Sequence, residues 1–248
     1  MSIPTPASAL SRLAAPSPPR AGPTDLVCIG GGEHARVVME AALSCPARWR
    51  LLGFVDDKPC AATLNRLGVP RLGNDEKGLS LLSAISDVAF VLGIGAVGGT
   101  GIREEALQRY VEASARFAAV VHARAWVSPS AVLDEGVFVA AGAVVNTGAH
   151  LGIHAVVNTG AIVEHDASLG AFSQVGPGAV VGGGVVLEDY AYVGLGARVR
   201  DHLRVGRGAV VGMGAVVTRS VLPAEVVVGV PAAPLRGSKE APAGPSPK

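Results

Sequence analysis

From Val127 to Leu222 the chain carries an aliphatic residue at every sixth position: Val127, Leu133, Val139, Val145, Leu151, Val157, Val163, Leu169, Val175, Val181, Leu187, Val193, Val199, Val205, Val211 and Val217. Four places after each stands a small or modest residue, from Ala131, Val137 and Ala143 to Ala215 and Val221. Glycine often takes the second place, as at Gly152, Gly170, Gly176, Gly182, Gly194, Gly206 and Gly212. A fixed short period marks a repeat architecture. A period of six fits neither the 3.6 of a helix nor the bare alternation of a strand, but it suits short strands that turn a corner every six residues. Three such sides close a triangular coil of 18 residues, in which first and fifth places point inward and second to fourth places lie at a corner. The sixteen hexads make a prism of about five coils, roughly 25 Å tall at ordinary strand spacing.

Upstream the pattern differs. Leu26-Val27-Cys28-Ile29 reads as a short buried strand, Gly30-Gly31-Gly32-Glu33-His34-Ala35 as a glycine loop, and Arg36 to Leu43 as a helix. Such a turn aims backbone N–H groups and the positive end of a helix dipole at an anion, usually a phosphate. A glycine turn that merely packs strand on helix has the same spacing. Leu51 to Asp57 is a second buried strand ending in two carboxylates, Asp56 and Asp57, which suit a ribose or base. Gly68 to Asn74 reads as an edge turn, Leu79 to Ile85 as a helix, Val88 to Gly95 as a third strand and Ile102 to about Ser114 as an amphipathic helix. Residues 25–120 thus form a small parallel α/β domain, half of a dinucleotide fold and large enough for one nucleotide. Residues 121–236 are the coil domain. Residues 1–24, rich in Pro, Ala and Ser, are expected to be a disordered lead-in, and residues 237–248 a disordered tail.

A formal charge of +1 gives no argument for nucleic acid or for an anionic membrane surface. No apolar run is long enough to span a bilayer. Aromatics at 4% beside 33 glycines suit a coil of Val, Ala and Gly. Cys28, Cys45 and Cys60 share no metal-ligand spacing and read as reduced thiols, which points to the cytoplasm.

The hexad frame sorts the histidines. His154, His165 and His202 hold corner places, while His150 lies in a sixth, outward place. His165 stands between Glu164 and Asp166, and neighbouring carboxylates favour the charged imidazole and fix its tautomer, as a general base requires. Counting by 18, His165 stacks over Thr147, Gly183, Asp201 and Arg219 and over no other histidine. Ligands that do not converge cannot hold zinc, so no metal site is expected.

Five motifs in order carry a resemblance: Ile29 to Val38, Gly53-Phe54-Val55-Asp56-Asp57, Gly93-Ile94-Gly95 with Arg103, Asn158 to Asp166, and Val228-Gly229-Val230-Pro231-Ala232. Over roughly residues 25–235 the chain resembles the hexapeptide-repeat sugar acyltransferases, the branch with the UDP-amino-sugar N-acetyltransferases and the sialic acid O-acetyltransferase-like proteins. The resemblance implies a Rossmann-like parallel α/β domain followed by a left-handed parallel β-helix, assembled as a homotrimer with acetyl-CoA lying along the prism between subunits. It implies that His165 is the general base, that Asp166 orients it, that Asn158 contacts the sugar, and that Gly31, Gly32, His34, Asp56 and Asp57 hold the nucleotide. Gln174, Gly182, Gly183 and Gly194 are the expected cofactor contacts. Gly183, one coil beyond His165, would offer its N–H to the tetrahedral oxyanion, and the triple glycine Gly182-Gly183-Gly184 would leave room for a pantetheine arm. Two departures stand out: Gln174 replaces a frequent second histidine, and Ala233-Pro234 replaces a basic pair.

The function this implies is acetyl transfer from acetyl-CoA to the amino group of a nucleotide-linked amino-deoxy sugar, directly and without an acyl-enzyme, since no cysteine lies in the prism. Acetylation of a sugar hydroxyl and a non-catalytic trimeric scaffold are the alternatives the sequence leaves open.

Overall fold

A computed structural model describes residues 22–58, 67–95 and 101–235. The expected lead-in up to Ala21, Cys60 and the tail from Gly237 lie outside the described residues. Two compact units divide the chain, one ending at Val120 and the other beginning at Val121.

The first unit is a five-stranded parallel sheet. Its elements are β1 (Thr24–Ile29), α1 (Glu33–Leu43), β2 (Trp49–Val55), β3 (Arg71–Gly73), α2 (Asp75–Ala84), β4 (Ala89–Leu92), α3 (Ile102–Glu112) and β5 (Arg116–Phe117). The order is β3-β2-β1-β4-β5, so strand order reverses between β1 and β4. Central β1 buries Leu26, Val27 and Cys28 completely, as a parallel strand covered on both faces must.

Sequence and structure differ at the boundaries. The stretch expected to be an edge turn contains β3, which adds to the free side of β2. The second helix begins four residues earlier than its apolar spacing suggested, because Asn74 caps it: its Oδ1 accepts from the Lys77 N–H at 3.2 Å. Helix α1 likewise starts directly after Gly32. Arg116–Phe117, just past the expected last helix, pairs with β4 as the last strand.

The second unit is a left-handed parallel β-helix. Its first face stacks Trp126–Val127, Val144–Val145, Ile162–Val163, Val180–Val181, Arg198–Val199 and Val216–Val217. Its second face runs from Val132–Leu133 to Arg204–Val205, and its third from Val120–Val121 to Val226–Val228. Register is in step at 18 residues, Val145 opposite Val163 and Val163 opposite Val181. First- and fifth-place side chains therefore stack into one continuous core, with Val145, Leu151, Val157 and Val163 and the alanines 143, 149, 155 and 161 fully buried. At the C-terminal end an antiparallel strand, Ala233–Pro234, covers the edge of the third face.

The corners follow one rule. The fourth place of every hexad from Gly136 to Gly214 has φ between 54° and 69°, the left-handed region. Glycine takes it without strain, and the side chains that take it instead are His154, Asp166, Phe172, Tyr190 and His202.

Candidate active site

The first corner, between the first and second faces, carries the chemistry-bearing residues. His165 and Asp166 occupy its third and fourth places in one coil, with His165 Nδ1 2.9 Å from Asp166 Oδ2. Both side chains are open to solvent, 54% and 71% exposed. Asp166 sits in the left-handed region, φ 57°, where the chain turns the corner. Donation from Nδ1–H to Asp166 leaves Nε2 as the basic nitrogen. The hydrogen bond to Asp166 is the main cause that raises the His165 pKa above its ordinary value of 6.5, with smaller contributions from the charges of Asp166, Glu164 and Asp201. Glu164 is held in turn: its Oε2 accepts from Asn146 Nδ2 at 3.0 Å and from the His165 N–H at 3.3 Å. Asn146 lies one coil below Glu164, and counting by 18 from Glu164 would have found it.

One coil beyond, the triple glycine is a socket for three side chains. A Cβ at Gly183 would come within 2.6 Å of His165 Nε2, one at Gly184 within 2.5 Å of His202 Nδ1, and one at Gly182 would collide with Asp201 Oδ1. The space over the three glycines is thus lined by Asp201, His165 and His202. The Gly183 N–H expected to face an oxyanion donates to Asp201 Oδ1 at 3.1 Å. Gly183 does lie against His165 Nε2, as the count by 18 required.

The other expected residues lie elsewhere in the prism. Asn158 and Gly194 sit in second places at the third corner, a full face away from His165, where Asn158 Oδ1 accepts from the Thr159 N–H at 2.8 Å. Gln174 lies on the third face between Val156 and Tyr192, opposite the first corner. Within one chain, the cofactor set of Gln174, Gly182, Gly183 and Gly194 is therefore not brought together.

His154, expected to be an exposed corner residue, is completely buried. It folds over Gly136, whose Cβ would clash with its ring, and stacks on Phe172 at 5.2 Å between centroids. Phe172 stacks in turn on Tyr190 at 5.6 Å, and the Arg207 guanidinium lies 4.7 Å from the Tyr190 ring. This ladder climbs the second corner and is packing. His150 meets Asp134 at 3.1 Å on the outer second face.

In the first unit, Gly31, Gly32 and His34 lie at the C-terminal end of β1, beside the Gly93–Gly95 turn that follows β4. That is the point where strand order reverses, and in open parallel sheets ligands bind there. A Cβ at Gly95 would press within 3.1 Å of His34 Cβ, so the two loops are in close contact. Burial, reinforced by the Arg103 cation, lowers the His34 pKa to about 4, which keeps this imidazole neutral near pH 7. Arg103 is 4% exposed, and burial lowers its own pKa to about 10. The carboxylates serve the loops: Asp56 Oδ2 accepts from the Gly31 N–H at 2.7 Å and its Oδ1 from the Lys58 N–H at 2.8 Å, while Asp57 Oδ1 accepts from the Asp75 N–H at 3.1 Å. Asp56 therefore shapes the glycine loop directly.

Among the described residues no cluster of three or more His, Cys, Asp or Glu is placed to hold a metal ion, and no helix is long and apolar enough to cross a membrane.

Residues 25–110 match the PglD N-terminal domain family. A variant of the GDP-perosamine N-acetyltransferase from Caulobacter crescentus, in complex with CoA and GDP-perosamine, is 35% identical, with a TM-score of 0.75 over 85% of this chain and 96% of that one. The acetyltransferase domain of PglB from Neisseria gonorrhoeae, in complex with acetyl coenzyme A, is 31% identical, with a TM-score of 0.75 over 86% of this chain and 100% of that one. WeeI from Acinetobacter baumannii is 27% identical, with a TM-score of 0.69 over 86% and 100%. No curated protein sequence matches the chain.

Proposed function

Because the chain belongs to the hexapeptide-repeat sugar acyltransferase family, and is an acyltransferase, we propose that it transfers the acetyl group of acetyl-CoA to the amino group of a nucleotide-linked amino-deoxy sugar. The observation that carries this reading is the His165–Asp166 pair, with the exposed Nε2 lying against Gly183 one coil on. Asp166 holds Nδ1–H, so Nε2 is free to take the proton from the attacking amine. The nitrogen attacks the thioester carbonyl, the negative charge of the tetrahedral intermediate falls to a backbone donor such as the Gly183 N–H, and CoA leaves as the thiolate. The relatives bound to CoA with GDP-perosamine and to acetyl-CoA support this donor and this kind of acceptor.

The nucleotide is assigned to the first unit, where Gly31 and Gly32 offer the start of α1 to phosphate, Asp56 orders that loop, Asp57 stands beside it, and neutral His34 can exchange hydrogen bonds with an uncharged group. Asn158 is assigned to the sugar, and Gly194 and Gln174 to the donor. Those residues lie away from His165 within one chain, so the reading includes a homotrimer in which corners of different copies meet. The outward side chains of the first face support it: Trp126, 57% exposed, with Val144, Ile162, Val180 and Val216, interrupted only by Arg198. Sedimentation at the mass of a single chain would overturn the trimer. The cytoplasm, where CoA and sugar nucleotides are available, is the compartment this reading requires.

A thermal-shift panel tests the two ligand assignments separately, because a ligand that binds only the native state raises its melting temperature. UDP-, GDP- and dTDP-linked amino sugars are each measured with and without CoA. The expected result is a shift with one nucleotide family and an independent shift with CoA. A shift with CoA alone would remove the nucleotide-linked acceptor, and no shift with any ligand would favour the scaffold.

A further inference from the structure

The three N–H groups of the triple glycine are not equivalent. That of Gly182 donates to the Val199 carbonyl at 3.0 Å and that of Gly184 to the His165 carbonyl at 2.9 Å, both as part of the coil-to-coil ladder. The Gly183 N–H alone is left over from the ladder, and Asp201 Oδ1 takes it at 3.1 Å. The missing Cβ of Gly182 is what admits that carboxylate.

The second corner has the same motif with a different ending. There the Ala171 N–H, also in a third place, donates at 2.9 Å to Asp189 Oδ1, one coil on, and Arg207 holds the other oxygen of Asp189 at 2.9 Å. Asp189 is locked. At the first corner the arginine one coil beyond Asp201 is Arg219, and it pairs with Glu225 instead, at 3.5 Å. Among the described residues no ion pair holds Asp201, which is exposed and can swing into water.

We propose that the Asp201 carboxylate competes with the thioester carbonyl for the Gly183 N–H, so that acetyl-CoA gains this donor only by displacing Asp201. This rests on the acyl-transfer reading and specifies how its donor site is controlled. One N–H cannot serve two acceptors at full strength, and a carboxylate is the stronger acceptor. Asp201 is therefore a residue that sets affinity for the acyl donor without touching the reacting atoms. Free CoA lacks the carbonyl and is indifferent to this contact.

Calorimetric titration of acetyl-CoA and of CoA into the full-length protein, its Asp201→Ala variant and its Asp201→Asn variant tests the competition. The expected result is a Kd for acetyl-CoA lowered about three- to tenfold in D201A, the share of a charged hydrogen bond that hydration does not return. The Kd for CoA stays unchanged, and D201N, which keeps a neutral acceptor, falls between. Equal shifts for both ligands, or none, would overturn the competition. If the wild type binds neither ligand, the acyl-transfer reading falls as well. If it binds both and His165→Ala abolishes transfer, an unmoved acetyl-CoA to CoA ratio in D201A overturns the competition alone.

Discussion

Two corners of one prism, built on the same backbone rule, put histidine to opposite uses. At the second corner the left-handed fourth places carry His154, Phe172 and Tyr190, whose rings stack coil upon coil until Arg207 closes the column. At the first corner glycines at 148 and 184 alternate with Asp166 and His202, no ring among the described residues stacks on the column, and His165 beside it stays open to solvent between carboxylates. What separates a packing histidine from a candidate base is thus the residues 18 positions away, which either bury the ring or leave it accessible to solvent.

The second corner is where a single substitution should cost the most stability. Phe172 is buried between His154 and Tyr190, so Phe172→Ala removes the middle of the ladder. Chemical denaturation should read a loss of about 3–5 kcal/mol, the usual cost of a buried phenyl ring. Acyl transfer by the protein that remains folded should be little changed. A large loss of kcat in folded F172A would mean that the two corners are coupled and that the ladder is more than packing.

A smaller effect sharpens the comparison at the first corner. As a base His165 works in its neutral form, and its pKa is raised mainly by the bond to Asp166. The acid limb of kcat/KM should therefore lie above pH 6.5, with activity growing as pH rises through the raised value. Asp166→Asn removes the charge and should move that limb to lower pH, by little for so exposed a pair. An unmoved limb would mean that Asp166 does not set the basicity of His165.

Much of this was legible in the sequence because a coil of 18 residues turns counting into geometry. The core followed from the sixth-position aliphatics and the small fifth places, since each hexad repeats the same contacts. His165 against Asp166 is a neighbour relation, and its approach to Gly183 is one period. What counting could not give is the direction of a side chain once it leaves the corner. His154 and His165 both read as corner histidines, yet Phe172 and the bare Gly136 draw one inward. Asp201 was in the right column, but counting says neither that it reaches back to the Gly183 N–H nor that Arg219 turns to Glu225 and leaves it. In the first unit β1, β2 and β4 were legible from their apolar runs, whereas the short edge strands β3 and β5, Asn74 as a helix cap and Asp56 as the tie on Gly31 depend on pairings and side-chain bonds that no periodicity announces.

The most direct test of the central claim is CoA thiol release with nucleotide-linked amino sugars, measured for the wild type and for His165→Ala at matched pH. The account predicts acceptor-dependent release by the wild type and a kcat lowered about 10²–10⁴-fold in H165A, the usual contribution of a positioned general base, with unchanged binding of CoA. Wild-type rates in H165A, or release that ignores the acceptor, would contradict it.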